Sequence, residues 1–306
     1  MFNLTRMELR RLTKQKSTYI ILLSVVLILT MFMFLWDFSI KILEENMQTM
    51  QNQSLPEQIN SELTETEDGN TDDKITNAAN HNQNIDFQFN AGDGSFDLGT
   101  GEDLLLEQFT GRGILIFIII FAAMFFTAPY RNGYVKNFLG MKRNRTGFIF
   151  AQFIVGISYS IVIFIVATAT LSIGINMVFS EKFKIVNWGN LFEIIGFHLV
   201  FHIAFLAIIL FLATLTRHLS VVLVSGLLYV TVFNKMIWGL LTDLLKKIFD
   251  FSGEWALSNY TVIGNIDSIN MNSGNTDLIR ATIVCLVLMV LALGGSCLVL
   301  QRKDVN

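Results

Sequence analysis

Long uncharged apolar runs constrain this chain more than any other feature of its sequence. Ser17 to Trp36 is twenty residues without a charged side chain, and a helix of that length spans roughly 30 Å of hydrocarbon. Of all residues 52% are hydrophobic and only 15% are charged, and the chain contains 27 Phe. A soluble domain of this size has no interior large enough for so much apolar surface. The sequence therefore predicts an all-α polytopic membrane protein.

Six spans can be placed on the apolar runs. They are predicted at 17–38, 112–129, 148–173, 191–216, 219–233 and 278–300. The second is expected to stop at Pro129. The remaining segments are an N-terminal interfacial or coupling helix (1–16), the connections 39–111, 130–147, 174–190 and 234–277, and a tail (301–306). Apolar residues recur at helical spacing in 234–277, which predicts an amphipathic segment that lies outside or partly re-enters the membrane.

The distribution of basic residues predicts the orientation of the chain. Thirteen of the 22 Lys and Arg residues fall in the N-terminal segment, in 130–147, at Arg217 and in the tail, where the acids are Glu8 and Asp304. Basic residues close to spans are retained on the cytoplasmic side. We therefore expect both termini in the cytoplasm and a multi-pass position in the plasma membrane.

The segment 39–111 is strongly acidic. Residues 39–110 contain fifteen Asp and Glu against Lys41 and Lys74, so we expect a large extracellular loop that is partly disordered. Residues 40–50 are compatible with an outward extension of the first helix, and 85–96 alternates like a short strand. One interpretation is a solvated acidic loop; another is a cap over an external opening or a trap for a cationic ligand.

The sequence carries no pattern typical of an enzyme. There is no phosphate-binding G-x-x-x-x-G-K-[ST], no G-x-S-x-G, no H-E-x-x-H and no C-x-x-C. His198 and His202 lie one turn apart on the fourth span, a spacing suited to metal binding or proton transfer, but no third ligand is evident. The alternative is two polar groups that face the bundle interior or the outer headgroups. Cys285 and Cys297 are predicted to be free thiols.

The connection 130–147, YRNGYVKNFLGMKRNRTG, combines basic and apolar residues without any acid. Gly133 permits a sharp departure from the preceding helix, and Phe138 and Leu139 suit an interfacial or docking helix. The simpler interpretation is a loop that is cytoplasmic because it is basic. The functional interpretation is a contact surface for a cytosolic partner.

The stretch GYVKNFLGMKRNRTGFIFAQ, 133–152, together with the order of spans and the basic N-terminus, resembles the permease subunit of an ABC-2 type transporter. Gly133, Lys136 and Arg145 correspond to the glycine, lysine and later arginine of that family's inner loop. Small permeases of this shape resemble those that export or clear peptides, including lantibiotic-immunity and bacitracin-resistance types.

The resemblance implies a half-transporter in a bacterial cell membrane. It implies pairing with a second copy or a related permease, and a separate cytosolic ATPase that binds ATP and Mg, so that this chain is not an enzyme, needs no cofactor of its own and contacts lipids but no nucleic acid. The implied coupling residues are Gly133, Tyr134, Lys136, Phe138, Leu139 and Arg145. Rival interpretations are a channel or lipid scramblase, and a membrane sensor or scaffold that binds an extracellular cationic ligand through the acidic loop.

Overall fold

The structure of the protein, a computed structural model, describes residues 2–61, 100–133, 145–179, 183, 185–249 and 256–302. Within these ranges it contains ten α-helices and no β-strand. The helices are α1 (Phe2–Lys14), α2 (Lys16–Ser61), α3 (Gly101–Thr110), α4 (Gly113–Arg131), α5 (Arg145–Val178), α6 (Trp188–Thr216), α7 (Leu219–Leu228), α8 (Asn234–Phe249), α9 (Val262–Ser268) and α10 (Asn275–Arg302). A π-helical turn, Tyr229–Phe233, joins α7 to α8.

Several of these helices are long and apolar enough to cross a bilayer. Among the described residues there are five such stretches: Lys16–Ile42, Gly101–Arg131, Arg145–Val178, Trp188–Thr216 and Asn275–Arg302. A bent pair, Leu219–Val232 and Met236–Ile248, makes a sixth if it is counted as one span, with an angle of 59° between its parts. The prediction of an all-α polytopic membrane protein is confirmed in this respect.

Contacts between distant residues show which helix ends lie together. At one end of the bundle, Arg145 at the start of α5 donates to the carbonyl oxygen of Gln301 in the last turn of α10 at 3.2 Å. Tyr159, further along α5, donates to the carbonyl oxygen of Thr18 at the start of α2 at 2.7 Å, and Arg11 of α1 donates to Phe125 in the second half of α4. The start of α5 and the last turn of α10 therefore lie at the same end, and α1 lies in that half of the bundle; we call it the N-terminal end. The starts of α3, α6 and α10 lie at the other end, which we call the distal end.

Helix α6 lies at the centre of the bundle and α2 and α10 lie at its periphery. Helix α6 packs against α3, α4, α5, α7, α9 and α10. In the Gly101–Arg131 stretch 72% of the apolar window is buried, against 28% in Lys16–Ile42 and 22% in Asn275–Arg302. The latter two helices leave large apolar side chains exposed, as expected of surfaces that face lipid.

The stretch before α4 differs from the sequence-based expectation of an acidic loop. Residues 101–110 form α3, which begins with a capping box in which Thr100 accepts from the backbone N–H of Asp103. Leu104, Leu105 and Phe109 are buried against the bundle. The many acids of the segment had indicated solvation, but three consecutive leucines and a phenylalanine on this turn of helix are enough to hold it in the interior.

The ends of α2 and α4 also differ from the predicted span boundaries. Helix α2 continues to Ser61, so it includes residues 40–50 as an extension. Helix α4 passes through Pro129 and ends at Arg131. The alternating segment 85–96 and most of the acidic connection lie outside the described residues.

Candidate functional site

The implied coupling residues are only partly described by the structure. Gly133 follows the end of α4 with a φ of +67°, a left-handed conformation that favours glycine. Arg145 is the first residue of α5. Tyr134, Lys136, Phe138 and Leu139 lie outside the described residues. The two ends of the 130–147 connection are therefore fixed at the N-terminal end of the bundle.

Arg145 attaches the start of α5 to the end of α10. Its Nη1 donates to the carbonyl oxygens of Leu300 at 3.3 Å and of Gln301 at 3.2 Å. These carbonyl groups belong to the last turn of a helix, where no intrahelical donor remains and the helix dipole favours a positive charge. Part of the role of Arg145 is thus to hold the final helix in the bundle.

Helix α1 is anchored by an arginine that compensates for a proline. Pro129 has no backbone N–H, so the carbonyl oxygen of Phe125, four residues earlier, lacks its helical donor. Arg11 supplies the missing donor from Nη2 at 3.0 Å. The Arg11 guanidinium also lies 4.3 Å from the centroid of the Phe125 ring. This contact fixes α1 against the inner surface of α4.

A buried carboxylate accompanies Arg11. Glu8 is 1% exposed, and its Oε2 lies 2.9 Å from Nη1 of Arg11. Burial raises the pKa of the Glu8 carboxyl above its ordinary value of 4.5, and the positive charge of Arg11 opposes that rise. This ion pair lies within α1; the helix contacts the bundle through Arg11 and through Leu4 and Leu12, which are both buried.

The two histidines lie in the interior near the middle of α6. Both are fully buried, and His202 is midway between Trp188 and Thr216. His202 Nδ1–H donates to the carbonyl oxygen of His198 at 2.7 Å. The His202 ring also meets the Phe164 ring edge-on, with centroids 4.9 Å apart.

His198 connects α6 to the segment that precedes α10. Its Nε2–H donates to the carbonyl oxygen of Ile269 at 3.2 Å. The second ring nitrogens, Nδ1 of His198 and Nε2 of His202, are buried and have no hydrogen-bond partner among the described residues. The described part of the chain also contains no group of three metal-ligating side chains. Both histidines are interior side chains bonded to backbone carbonyl oxygens, His202 within α6 and His198 across to Ile269.

The segment that ends at Ile269 enters the bundle from the distal end. His198 is ten residues from the start of α6, which places the bonded Ile269 carbonyl about 15 Å along that helix. The residues from Val262 to Ile266 are all buried. Thr261 caps α9 by accepting from the backbone N–H of Gly264 at 3.0 Å. Such burial is what the re-entrant alternative for 234–277 requires.

An arginine at the distal end joins three parts of the bundle. Arg112, between α3 and α4, has a φ of +72°. Its Nε donates to Oδ1 of Asp267 at 3.0 Å and its Nη2 to Oδ2 of the same side chain. Its Nη1 donates to the carbonyl oxygen of Val230 at 2.6 Å. This bidentate arrangement holds α9 and the π-helical turn against the start of α4.

Glu102 holds the start of α6 at the same end. It is 4% exposed, and its Oε1 accepts from the backbone N–H groups of Val186 at 2.5 Å and Asn187 at 2.8 Å. These donors lie just before α6, where a negative charge also complements the helix dipole. Glu102 is therefore a structural acid and not part of a free acidic surface.

Sequence reasoning did not identify Glu102, Arg112 or Asp267 as interacting residues. Arg112 and Asp267 are 155 positions apart, so no local spacing relates them. The one available signal was the position of Arg112, a single charge directly before a long apolar run. Such a charge must be paired or exposed if the run is inserted in a membrane.

The fold and the site together define a class. This is a multi-pass all-α membrane protein with an amphipathic helix anchored at one end and a buried segment entering from the other. The chain belongs to the family described as "Protein of unknown function (DUF2705)", whose model matches residues 76–306. No curated protein matches the chain.

Proposed function

We propose that this chain is the permease subunit of an ABC-2 type transporter in a bacterial cell membrane. It exports or clears a peptide, an antibiotic or another amphiphilic substrate. The energy comes from ATP and Mg bound by a separate cytosolic subunit. A second copy or a related permease completes the transport unit. The observation that carries this proposal is the packing of α1 against α4 and α5, the two helices that the 130–147 connection joins.

These are the two elements that the resemblance assigns to coupling. Helix α1 packs along α5, which begins at Arg145, and Arg11 binds the carbonyl oxygen of Phe125 in the second half of α4, the helix that leads to Gly133. In this proposal one partner docks on both elements. A rigid connection from that surface to α4 and α5 is what transmission of a movement to the spans requires.

The outward side of α1 has the composition of a docking surface. Leu9 is 43% exposed, and Arg6 and Arg10 are exposed beside it. Apolar residues at the centre of an interface contribute most of its affinity, and basic residues at its rim direct the encounter. By sequence, the connection 130–147 contains Phe138, Leu139 and further basic residues.

The experiment is purification of the full-length chain in mild detergent from the cells that produce it naturally. We expect an ATP-hydrolysing subunit in stoichiometric amount. Leu9→Ala combined with Phe138→Ala and Leu139→Ala is expected to lower its recovery tenfold or more, on the scale of interface hot spots. Ile42→Ala is the matched control, because Ile42 is also an exposed helical side chain (42%) but lies toward the distal end of α2.

Two outcomes contradict different parts of the proposal. If no ATP-hydrolysing protein accompanies the wild-type chain, the permease assignment fails and a channel, scramblase or sensor is favoured. If the ATPase is present but the triple variant recovers as much of it as the wild type does, the assignment survives and the docking surface lies elsewhere.

A further inference from the structure

An apolar groove opens between α6 and α7 on the side of the bundle. Its volume is about 750 Å³. Val221, Val224 and Leu228 are 49%, 52% and 40% exposed on the α7 wall. The groove is lined by Phe205, Ile208, Ile209 and Leu212 of α6, and by one face of α7 and the turn after it, from Ser220 through Val224 and Leu228 to Tyr229. Exposed apolar side chains on a membrane-spanning helix face hydrocarbon, so an acyl chain fits this groove by composition.

A charged residue lies where the two walls of the groove join. Only Arg217 and His218 separate α6 from α7, and Arg217 has a φ of +62°. The Arg217 guanidinium lies 5.7 Å from the centroid of the Tyr130 ring. Its Nε and Nη2 are buried without a hydrogen-bond partner among the described residues. Arg217 as a whole is half-buried, but two buried N–H groups of a cation without an acceptor are costly, so this position favours an anion.

The backbone at the same place adds further donors. His218 is the N-cap of α7 but makes no side-chain hydrogen bond to the first turn. The backbone N–H groups of Leu219, Ser220 and Val221 therefore have no side-chain cap from that residue. The Ser220 side chain is exposed and also lines the groove. These donors supplement Arg217 in binding an anion, since the dipole of α7 is positive at this end.

We propose that the groove between α6 and α7 binds an anionic phospholipid from the leaflet at the N-terminal end. The phosphate contacts Arg217, the Ser220 hydroxyl and the first turn of α7, and one acyl chain lies in the groove. The occupant is a lipid because Ser220, in the first turn of α7 and three residues after Arg217, also lines the apolar groove, so a phosphate at this turn and an acyl chain in the groove belong to one molecule. The proposal does not rest on the permease assignment, since it uses only these local features.

The test uses the purified full-length chain, delipidated in detergent and titrated with phosphatidylglycerol. The readouts are bound lipid, counted by native mass spectrometry, and the unfolding temperature. We expect wild type to bind phosphatidylglycerol in preference to phosphatidylcholine of the same chain length. Arg217→Gln is expected to weaken this binding about tenfold, as for loss of a charge-assisted hydrogen bond. Arg302→Gln is the control, because Arg302 is an exposed arginine at the same end.

A second variant addresses the acyl chain separately from the charge. Val224→Trp fills the groove and leaves Arg217 unchanged, so it is expected to reduce lipid binding while the unliganded chain keeps its unfolding temperature. This variant keeps the proposal testable if Arg217→Gln does not fold. Equal phosphatidylglycerol binding by wild type and Val224→Trp overturns the proposal.

Two rival occupants have distinct outcomes. Glycerol 3-phosphate offers the phosphate without acyl chains; if it stabilises the protein as much as phosphatidylglycerol does, the site binds soluble phosphates and the lipid proposal is wrong. If Val224→Cys, in a chain without Cys285 and Cys297, forms disulfide-linked dimers in membranes, a second copy covers the groove and the proposal is also wrong.

Discussion

Arg11 replaces the hydrogen bond that Pro129 cannot donate to the carbonyl oxygen of Phe125. Arg11→Gln removes the charged donor from the Phe125 carbonyl oxygen and leaves Glu8 without its cation. We expect a loss of about 1–3 kcal/mol in stability, measured as thermal unfolding in detergent. Arg10→Gln, an exposed neighbour on the same helix, is expected to change stability by less than about 0.5 kcal/mol.

A double variant isolates the role of the carbonyl oxygen. Pro129→Ala restores a backbone N–H that can donate to Phe125, so it is expected to recover part of the stability lost in Arg11→Gln. If Pro129→Ala gives the same change in both backgrounds, the two residues are independent and the compensation is wrong.

Glu8 predicts a pH dependence of stability. Because burial raises the pKa of Glu8, the folded state retains a proton at pH values where the unfolded chain has lost it. The contribution of Glu8 to stability is therefore most favourable below its ordinary pKa of 4.5 and falls as pH rises through the folded pKa. Glutamine at this position does not ionise, so Glu8→Gln lacks this decline, and unfolding curves across pH 4 to 8 should show its stability relative to wild type increasing with pH. A constant difference between the two proteins would contradict the buried-carboxyl argument.

Among the helices, the sequence predicted the long apolar ones and missed the contacts between them. Uncharged runs such as Ser17 to Trp36 determine their own structure, because a backbone in hydrocarbon must satisfy its hydrogen bonds within the helix. Helix α3 was not predicted because its acids indicate solvation, whereas Glu102 is bound by two backbone N–H groups from a distant segment. The Arg112 and Asp267 pair depends on how α9 is placed, which no local pattern specifies. For the coupling residues, the sequence named Gly133 and Arg145, but the attachment of Arg145 to α10 depends on tertiary packing.

The approach of α10 to α6 depends on one of two adjacent glycines. A Cβ on Gly295 would lie 2.9 Å from Cε2 of Phe211, whereas a Cβ on Gly294 would meet nothing within 4 Å. Gly295→Ala is expected to destabilise the bundle by about 1–3 kcal/mol through overpacking. Gly294→Ala is expected to be neutral or stabilising by up to about 1 kcal/mol, because alanine favours a helix. Thermal unfolding that ranks the two variants equally would mean that α10 does not pack on Phe211.

The hydrogen bonds of Arg112 to Asp267 and Val230 predict that arginine and lysine differ at this position. Lysine keeps the charge but cannot bind both oxygens of Asp267 and the Val230 carbonyl oxygen together. We expect Arg112→Lys to lose about 1–3 kcal/mol of stability and to increase hydrogen exchange in residues 262–269. Arg280→Lys is the control, since Arg280 pairs with Asp277 within α10 and is partly exposed. Unchanged hydrogen exchange in 262–269 would show that α9 stays packed in the bundle without the hydrogen bonds of Arg112.

The contacts that join helices at the two ends of the molecule use different groups. At the N-terminal end Arg11 and Arg145 donate to backbone carbonyl oxygens of other helices, and Glu8 pairs with Arg11 within α1. At the distal end acids also join separate segments, with Glu102 on backbone N–H groups and Asp267 on Arg112. The charge asymmetry of the sequence, with thirteen basic residues in the N-terminal segment, 130–147, Arg217 and the tail, predicts the orientation of the whole chain in the membrane.

That orientation predicts which end reagents reach in intact cells. In a chain with Cys285→Ala and Cys297→Ala, we compare Asn132→Cys and Asn272→Cys, two exposed asparagines at the N-terminal and distal ends. The basic residues predict a cytoplasmic N-terminal end, so a membrane-impermeant maleimide is expected to label Asn272→Cys at once and Asn132→Cys only after the membrane is permeabilised. Because both substitutions replace the same residue type at an exposed turn, differences in thiol reactivity are small. Labelling of Asn132→Cys in intact cells would show that the orientation is the reverse of the predicted one. Helix α1 would then lie outside the cell, where a cytoplasmic ATPase could not bind it.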